Sequence, residues 1–343
     1  MSFSRKIIEW QCRHGRHHLP WQGSRDPYRI WVSEIMLQQT QVGTVIPYYQ
    51  RFLERFPDIA RLASALEEEV LTYWAGLGYY ARGRNLHRAA RKIVEQHDGV
   101  FPQDFDAIVA LPGIGRSTAA AISAFAFGEQ RAILDGNVKR LLARVFVVDG
   151  WTGDKKVETR LWQLSESLLP KTRIETYTQA LMDLGATVCT RSKPKCGQCP
   201  LAGDCLALKE NRVGQLPAPR ARKQLPERAA ILLVLRHGCE VLLQKRPAPG
   251  IWGGLWGLPE AEGEVGAACL QLTGQIPASI ETLPAFRHTF SHFHLAIQPL
   301  LLTLDQRPSQ VAEVGSVWME IGDALGAAIP KPVKSILEAC PPC

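Results

Sequence analysis

Cys189, Cys196, Cys199 and Cys205 fall within 17 residues in the pattern Cys-x6-Cys-x2-Cys-x5-Cys. Four thiolates this close can hold a tetrahedral metal ion or a four-iron cluster. A zinc ribbon more often carries two Cys-x2-Cys pairs, and here only Cys196 and Cys199 form one. Spacing by itself leaves zinc and cluster both open. Arg191, Lys193 and Lys195 lie between the first two cysteines. They read either as the charged rim of a metal-tied loop that meets phosphates or as ordinary solvated side chains. Cys12, Cys239, Cys269, Cys340 and Cys343 are scattered, without ligand spacing.

Two carboxylates stand in unusual settings. Glu34 interrupts the apolar run Trp31-Val32-Ser33-Glu34-Ile35-Met36-Leu37, although local pattern alone favours a solvated helix glutamate. Asp135 precedes an amphipathic helix in Ile133-Leu134-Asp135-Gly136-Asn137-Val138-Lys139-Arg140. It reads as a helix N-cap, or as a carboxylate at the mouth of a groove beside Lys139, Arg140 and Arg144. Upstream, Leu111-Pro112-Gly113-Ile114-Gly115 leads into Arg116-Ser117-Thr118. Glycines at 113 and 115 let backbone N–H groups face outward at the positive end of a helix, which suits one phosphate. The same residues also suit a plain tight connection between helices.

The elements that must carry these residues differ between the two parts of the chain. Up to about Lys209 apolar residues recur at three-to-four-residue spacing, broken by turns such as Phe56-Pro57-Asp58 and Asp98-Gly99, so this part is expected to be all-helical. Thr118 to Ala124 is one of its alanine-rich helical stretches. A connector follows, with Pro217, Pro219, Pro226, Arg220, Arg222 and Lys223. Beyond it, Ala229 to Leu235 and Val241 to Leu243 around Gly238 predict a hairpin. His294 to Ile297 and Leu300 to Leu302 predict further strands, and Val265 to Leu272 and Val333 to Leu337 predict helices, making an α+β domain. The expected organisation is a helical domain over 1–212, a linker over 213–227 and a second domain over 228–343.

Charge divides in the same place. The whole chain of 343 residues has a net charge of +7. Residues 1–225 hold 32 Lys and Arg against 22 Asp and Glu, and the remainder holds 8 against 11. A basic part joined to a mildly acidic one suggests a nucleic-acid-facing domain next to a domain of another kind. No apolar run reaches a membrane span of roughly 20 residues, and Met1 to Lys6 leads to no secretory signal. An intracellular protein, cytoplasmic and in a bacterium nucleoid-associated, is expected, with no membrane partner.

Taken together, the motifs resemble those of MutY-type adenine DNA glycosylases, members of the helix-hairpin-helix superfamily that also contains endonuclease III. The matching segments are Leu19-Pro20-Trp21, Trp31 to Val42, Gly76-Leu77-Gly78-Tyr79-Tyr80-Ala81-Arg82, Leu111 to Ala119, Ile133 to Arg140, Met182-Asp183-Leu184-Gly185-Ala186, the four cysteines, and Phe286 to His294. The resemblance implies an all-α glycosylase module with an iron–sulfur loop, joined to a Nudix-like domain. It implies one 4Fe-4S cluster on Cys189, Cys196, Cys199 and Cys205. The partner it implies is double-stranded DNA with adenine opposite 8-oxoguanine or guanine, bound by a monomer. Glu34 would then be the acid that protonates the flipped adenine, and Asp135 the carboxylate that stabilises or captures the sugar cation. Two acids in unlike environments suit hydrolytic glycosidic cleavage. Asn137 would orient this centre, and Trp21 would line the adenine pocket, where a plain core role is the alternative. Gln39 and Tyr79 would hold the strands apart, with Thr40, Leu77, Gly113, Gly115, Lys139, Arg140, Arg191 and Lys193 as further DNA contacts.

Lyase-capable relatives carry a catalytic lysine where this chain has Ser117, and a serine cannot form a Schiff base. A monofunctional glycosylase leaving an abasic site is expected, with Lys139 capable of slow side attack on that sugar. In the second domain, Gly263 to Leu270 lacks the glutamate-rich helix with which a Nudix hydrolase binds magnesium, so pyrophosphohydrolase activity is not expected. Phe290, Ser291 and His292 would instead read 8-oxoguanine, against the alternative of an ordinary strand edge. A non-catalytic, redox-sensing DNA-binding protein would leave Glu34 and Asp135 unexplained. A pyrimidine-lesion glycosylase-lyase is disfavoured by Ser117 and by the second domain.

Overall fold

Helix caps are written plainly in the chain. Asp26 opens the helix Pro27–Leu37, accepting from Tyr28 N with proline in the first turn, and Asp135 opens Gly136–Val145, accepting from Val138 N. The computed structural model describes residues 2–220, 224–247, 250–308 and 315–341. Arg222, Lys223 and Cys343, named above, lie outside the described residues. The chain forms two units: Met1–Ser64 with Asn85–Arg222, and Ala65–Arg84 with Lys223–Cys343. Residues 65–84 thus pack with the C-terminal unit, although their pattern is helical like that of their neighbours. The reason is apolar: Leu71, Leu255 and Ala328 are buried together, with Tyr80 and Trp252 against them.

The first unit is helical as its periodicity predicts. Its core gathers Ile7, Ile8 and Trp10 from the helix Phe3–His14, Leu141, Leu142 and Val145 from Gly136–Val145, and Tyr177, Leu181 and Leu184 from Ile174–Thr187. One departure is local. The alanine-rich helix runs only over Arg116–Ile122, and Ser123–Phe127 continues it as a π-helical turn, ended by Gly128 at φ +70°. Composition cannot distinguish these two ladders, because both use the same helix-favouring residues.

The second unit carries seven strands among its described residues: β1 (Glu227–His237), β2 (Glu240–Lys245), β3 (Trp256–Gly257), β4 (Ser279–Thr282), β5 (Phe286–Thr289), β6 (His294–Thr303) and β7 (Ser316–Glu320). The order is β3-β2-β1-β6-β4, with β5 also on β6 and β7 on β2; β1 and β6 run parallel. Both faces are covered. Leu232, Val234 and Ile297 face the helix Lys331–Glu338, whereas Leu233, Leu235 and Leu302 face Cys269 of the helix Val265–Thr273. That two-sided burial explains the continuous apolar run in β1. The two expected runs at 294–297 and 300–302 are one strand, crossing Pro299 where the neighbour changes from β5 to β4. The missing N–H falls in the gap between the β5 and β4 ladders, while β1 continues alongside with Leu232 opposite Pro299.

A buried ion pair ties the two ends of the first unit. Asp183, fully buried, accepts from Gln11 Nε2 at 3.0 Å, Arg16 N at 2.8 Å, Arg16 Nε at 2.7 Å and Gln179 Nε2 at 2.9 Å. Removing one partner of such a set leaves the others desolvated and unpaired. Asp183→Ala is expected to cost about 3–5 kcal/mol. The urea midpoint of the helical far-UV signal checks this, and a loss below about 1 kcal/mol would refute the account.

Candidate active site and cluster loop

Glu34 sits on a helix buried on nearly every side: Tyr28, Ile30, Trp31, Val32, Ser33, Ile35 and Met36 are all in the core. Such a helix has little solvated face, so its one glutamate projects into a cleft instead of bulk water. The cleft, of about 1630 Å³, is lined by Glu34, Asp135, Ser117, Asn137, Arg140, Trp21, Gln39, Thr40 and Gly115, all from the first unit. Its volume exceeds that of an ordinary small-molecule pocket, roughly 300–1,000 Å³, and leaves room for more than one nucleotide.

The two carboxyls are held differently. Burial pushes Glu34 up to about 8, and the neighbouring Asp135 charge adds to the shift. Among the described residues nothing hydrogen-bonds the Glu34 carboxyl. Burial also raises Asp135, but four interactions oppose it: the Val138 and Asn137 N–H groups, the Arg140 charge and the Asn137 side chain. Its Oδ1 accepts from Val138 N at 2.8 Å, and Asn137 Nδ2 lies 3.5 Å from its Oδ2. Both carboxyls are therefore shifted upward, but only the Asp135 anion has donors and a positive charge that favour it. Asp135 fills both roles left open by its sequence, cap and cleft carboxylate.

A frame of hydrogen bonds holds the Asp135 turn. Arg140 donates to Asn137 Oδ1 at 2.9 Å, to Gly185 O at 2.7 Å and to Cys189 O at 2.7 Å. Gly185 allows the helix Ile174–Thr187 to approach: a Cβ there would lie 2.5 Å from the Asn137 Cβ. Ser117 Oγ accepts from Leu134 N at 2.9 Å, tying the hairpin helix to the residue before Asp135. Lys139 pairs with Glu158 at 2.5 Å, so its ammonium is engaged in the fold. Both Lys139 and Arg140, expected as DNA contacts, are thus occupied by protein partners.

The four cysteines line one small cavity with Leu141, Val145, Val188, Pro194 and Leu208, and none forms a disulfide. Among the described residues no three metal-binding side chains converge on a single ion. Burial, with the Cys189, Cys205 and Cys196 charges adding, pushes the Cys199 thiol up to about 11, opposed by the Leu201 N–H. Thiols so placed gain from iron that neutralises them, and the donor set fits an iron–sulfur cluster. Arg144 was named above only as a basic neighbour. It is buried and donates to Cys189 Sγ at 3.3 Å, Thr190 O at 2.7 Å, Arg191 O at 3.2 Å and Leu216 O at 2.9 Å. One helical turn beyond Arg140, it was detectable only as a basic residue on the apolar side of an amphipathic helix.

The remaining residues are placed as follows. Trp21 is buried, edge-on to Tyr49 at 5.4 Å, and also borders the cleft, so core and pocket roles coincide. Gln39 is exposed with φ 59°, a backbone state that non-glycine residues adopt sparingly. Gly113, at φ +81°, lies where a Cβ would meet Asn85 Cβ at 2.7 Å. Arg191 and Lys193 are exposed on the cysteine loop. In the second unit Tyr79 is exposed with φ 49°, whereas Leu77 is buried, so its side chain is packed instead of presented to a duplex. Ser291 and His292 are exposed between β5 and β6, while Phe290 stacks on Phe293 at 4.5 Å as their anchor.

Comparison with known proteins assigns a family to each part of the chain. Residues 32–167 match the HhH-GPD superfamily base excision DNA repair protein, 189–205 the iron-sulfur binding domain of endonuclease III, and 230–339 the NUDIX domain. The adenine DNA glycosylase of Buchnera aphidicola subsp. Acyrthosiphon pisum (strain APS) is 37% identical, over 98% of this chain and 97% of its own. That of Mus musculus is 34% identical, over 98% and 77% respectively. A solved thermostable thymine-DNA glycosylase superposes with a TM-score of 0.54 at 29% identity, over 61% of this chain and 95% of its own. With whole-chain identity to bacterial and mammalian relatives and matches to all three family models, the chain belongs to the adenine DNA glycosylases, DNA-binding enzymes of base-excision repair in the helix-hairpin-helix superfamily.

Proposed function

We propose that this glycosylase removes adenine mispaired with 8-oxoguanine or guanine by hydrolysis alone, leaving an abasic site. The observation that carries the reading is the pair in the cleft, with Glu34 raised to about 8 beside a hydrogen-bonded Asp135. A stacked adenine keeps its glycosidic bond out of reach, so the nucleotide must leave the helix and enter the cleft. There Glu34 gives its proton to the adenine ring, so that the base departs neutral as the bond to C1′ breaks. Asp135 stabilises the positive charge left on the sugar, or bonds to it transiently. Water then supplies the hydroxyl at C1′, and its remaining proton returns to the carboxyl pair. Asn137, held by Arg140, keeps Asp135 aimed.

Ser117 supports the absence of lyase chemistry, because its oxygen accepts from Leu134 N and it has no amine for a Schiff base. Cys189, Cys196, Cys199 and Cys205 would hold one 4Fe-4S cluster, since they surround a cavity and do not converge on a point. Bound there, the cluster ties the 189–205 loop, which presents Arg191 and Lys193 to phosphates. Gln39 and Thr40 would meet the DNA from the cleft rim, and Tyr79 with the Phe290–Ser291–His292 tip would read the base opposite adenine. The enzyme would act as a monomer, inside the cell where chromosomal DNA lies.

On duplexes with adenine opposite 8-oxoguanine, the unaltered protein is expected to give alkali-labile sites and no strand break without alkali. Glu34→Gln should slow release by about 10²–10⁴-fold while duplex binding persists; lost binding would assign Glu34 a structural role instead. The pH profile of single-turnover release should be bell-shaped. Glu34 acts as an acid, so the rate falls as pH rises through about 8 and the group loses its proton. Asp135 acts ionised and is raised, so the acidic limb should lie above the ordinary aspartate range. A flat alkaline side would remove Glu34 from the acid role. Iron and sulfide analysis should return about four of each per chain, and zinc alone would overturn the cluster assignment.

A further inference from the structure

The loop from Gly76 to Tyr80 is braced from within. Tyr80 Oη accepts from Gly76 N at 3.4 Å, Trp74 Nε1 donates to Gly78 O at 3.3 Å, and Arg82 Nη2 donates to Leu77 O at 3.2 Å and Gly78 O at 3.1 Å. Tyr79 at its tip is exposed. The base of the loop is fastened to the sheet of the same unit. Glu68 Oε2 meets Lys245 Nζ at 2.8 Å, Trp256 Nε1 donates to Glu68 Oε1, and Arg84 donates to Gly253 O. Glycine at 254, with φ +78°, makes room for the fastening: a Cβ there would touch Glu67 Oε1 and Leu71 Cδ1 at 3.4 Å.

Trp252 continues this assembly. With Tyr80 it packs on the Leu71–Leu255–Ala328 cluster, and it also packs on the main core of the sheet. Its ring lies 5.5 Å from Phe290 and 5.9 Å from His288. Phe290 is the residue from which Ser291 and His292 project, and its N–H is bonded to Phe293 O at 2.9 Å. A packed path therefore runs from the Tyr79 loop through Tyr80, the Leu71–Leu255–Ala328 cluster and Trp252 to Phe290, within one compact unit. Aromatic contacts of this kind resist tilting because their ring geometry is directional.

We propose that Trp252 and Glu68 are positioning residues that hold the Tyr79 loop and the Ser291–His292 tip together as one surface for reading the base opposite adenine. The proposal rests on the reading of these two segments given above. It assigns neither residue a contact with DNA: Trp252 acts through Phe290 and Tyr80, and Glu68 acts through Lys245 and Trp256. Its signature is selectivity and not rate. A misaligned reader loses preference for 8-oxoguanine over guanine, while the acid pair, in the other unit, is unaffected.

The test uses the iron-loaded full chain on duplexes with adenine opposite 8-oxoguanine and opposite guanine. Trp252→Leu should lower the ratio of kcat/KM values by about tenfold, mainly through KM on the 8-oxoguanine duplex. The single-turnover rate opposite guanine should stay within about twofold. Trp252→Phe, which keeps a ring, should retain most of the ratio. Glu68→Gln should lower it in the same direction and serves if Trp252→Leu folds poorly. Combined with Tyr79→Leu, Trp252→Leu should cost less selectivity than the two separate losses together, because both act on one surface. Fully additive losses, or equal losses on both duplexes with a lowered Tm, would overturn the proposal. Equal rates on both duplexes in the unaltered chain would instead overturn the substrate reading beneath it, and that ratio is measured before any variant is made.

Discussion

Glu34 is taken out of water beside another carboxylate, and the organisation of the first unit follows from making that arrangement stable. A charge there would be costly, so the group stays neutral near pH 7, with a proton available to donate. Asp135 is buried as well, yet the first N–H groups of the helix Gly136–Val145 and the Arg140 charge favour its anion. The site therefore needs a buried helix to carry one acid and a capped helix start to carry the other. It also needs a scaffold that keeps both at one cleft.

Most of that scaffold consists of donors fastened to carbonyls. Arg140 and Arg144 stand one turn apart on the Asp135 helix and reach the cysteine loop through Cys189, Thr190 and Arg191. Guanidinium groups drawn out of water are tolerated when several acceptors meet them, and the buried Arg144 and half-buried Arg140 each have three or more. Asp183 does the same for the helix that passes behind Asn137, where Gly185 permits the close approach. Of the basic residues expected as DNA contacts, Lys139 and Arg140 are engaged by protein partners, whereas Arg191 and Lys193 are exposed.

The C-terminal unit shows a different economy. Its sheet is covered on both faces, so its stability comes from alternating apolar residues of β1, β2 and β6 and from two flanking helices. The segment 65–84 joins it through one apolar cluster, one glutamate with two partners and the Arg84 bond to Gly253 O. The chain thereby brings an N-terminal loop and a C-terminal hairpin into one body, and an aromatic path connects them.

Local physics was legible in the chain. Periods of three to four residues announced the helical part, alternation and continuous apolar runs announced β1, β2 and β6, and Asp135 before Gly136 announced a cap. The cysteine spacing announced a metal-tied loop, because ligands so close in sequence must be close in space. Short β3, β4, β5 and β7 escaped notice because two to five residues carry too little pattern. Burial and partners belonged to the tertiary structure alone. It took Glu34 from a nominally solvated helix face into a cleft wall, gave Arg140 and Lys139 protein partners, and grouped residues 65–84 with the C-terminal unit. Each of these depends on what an element packs against, and residues distant in sequence supply that partner. The chain by itself determined which residues could do chemistry; only the fold decided how each carboxyl is shifted and by what, because desolvation and neighbouring charge exist only once the elements have met.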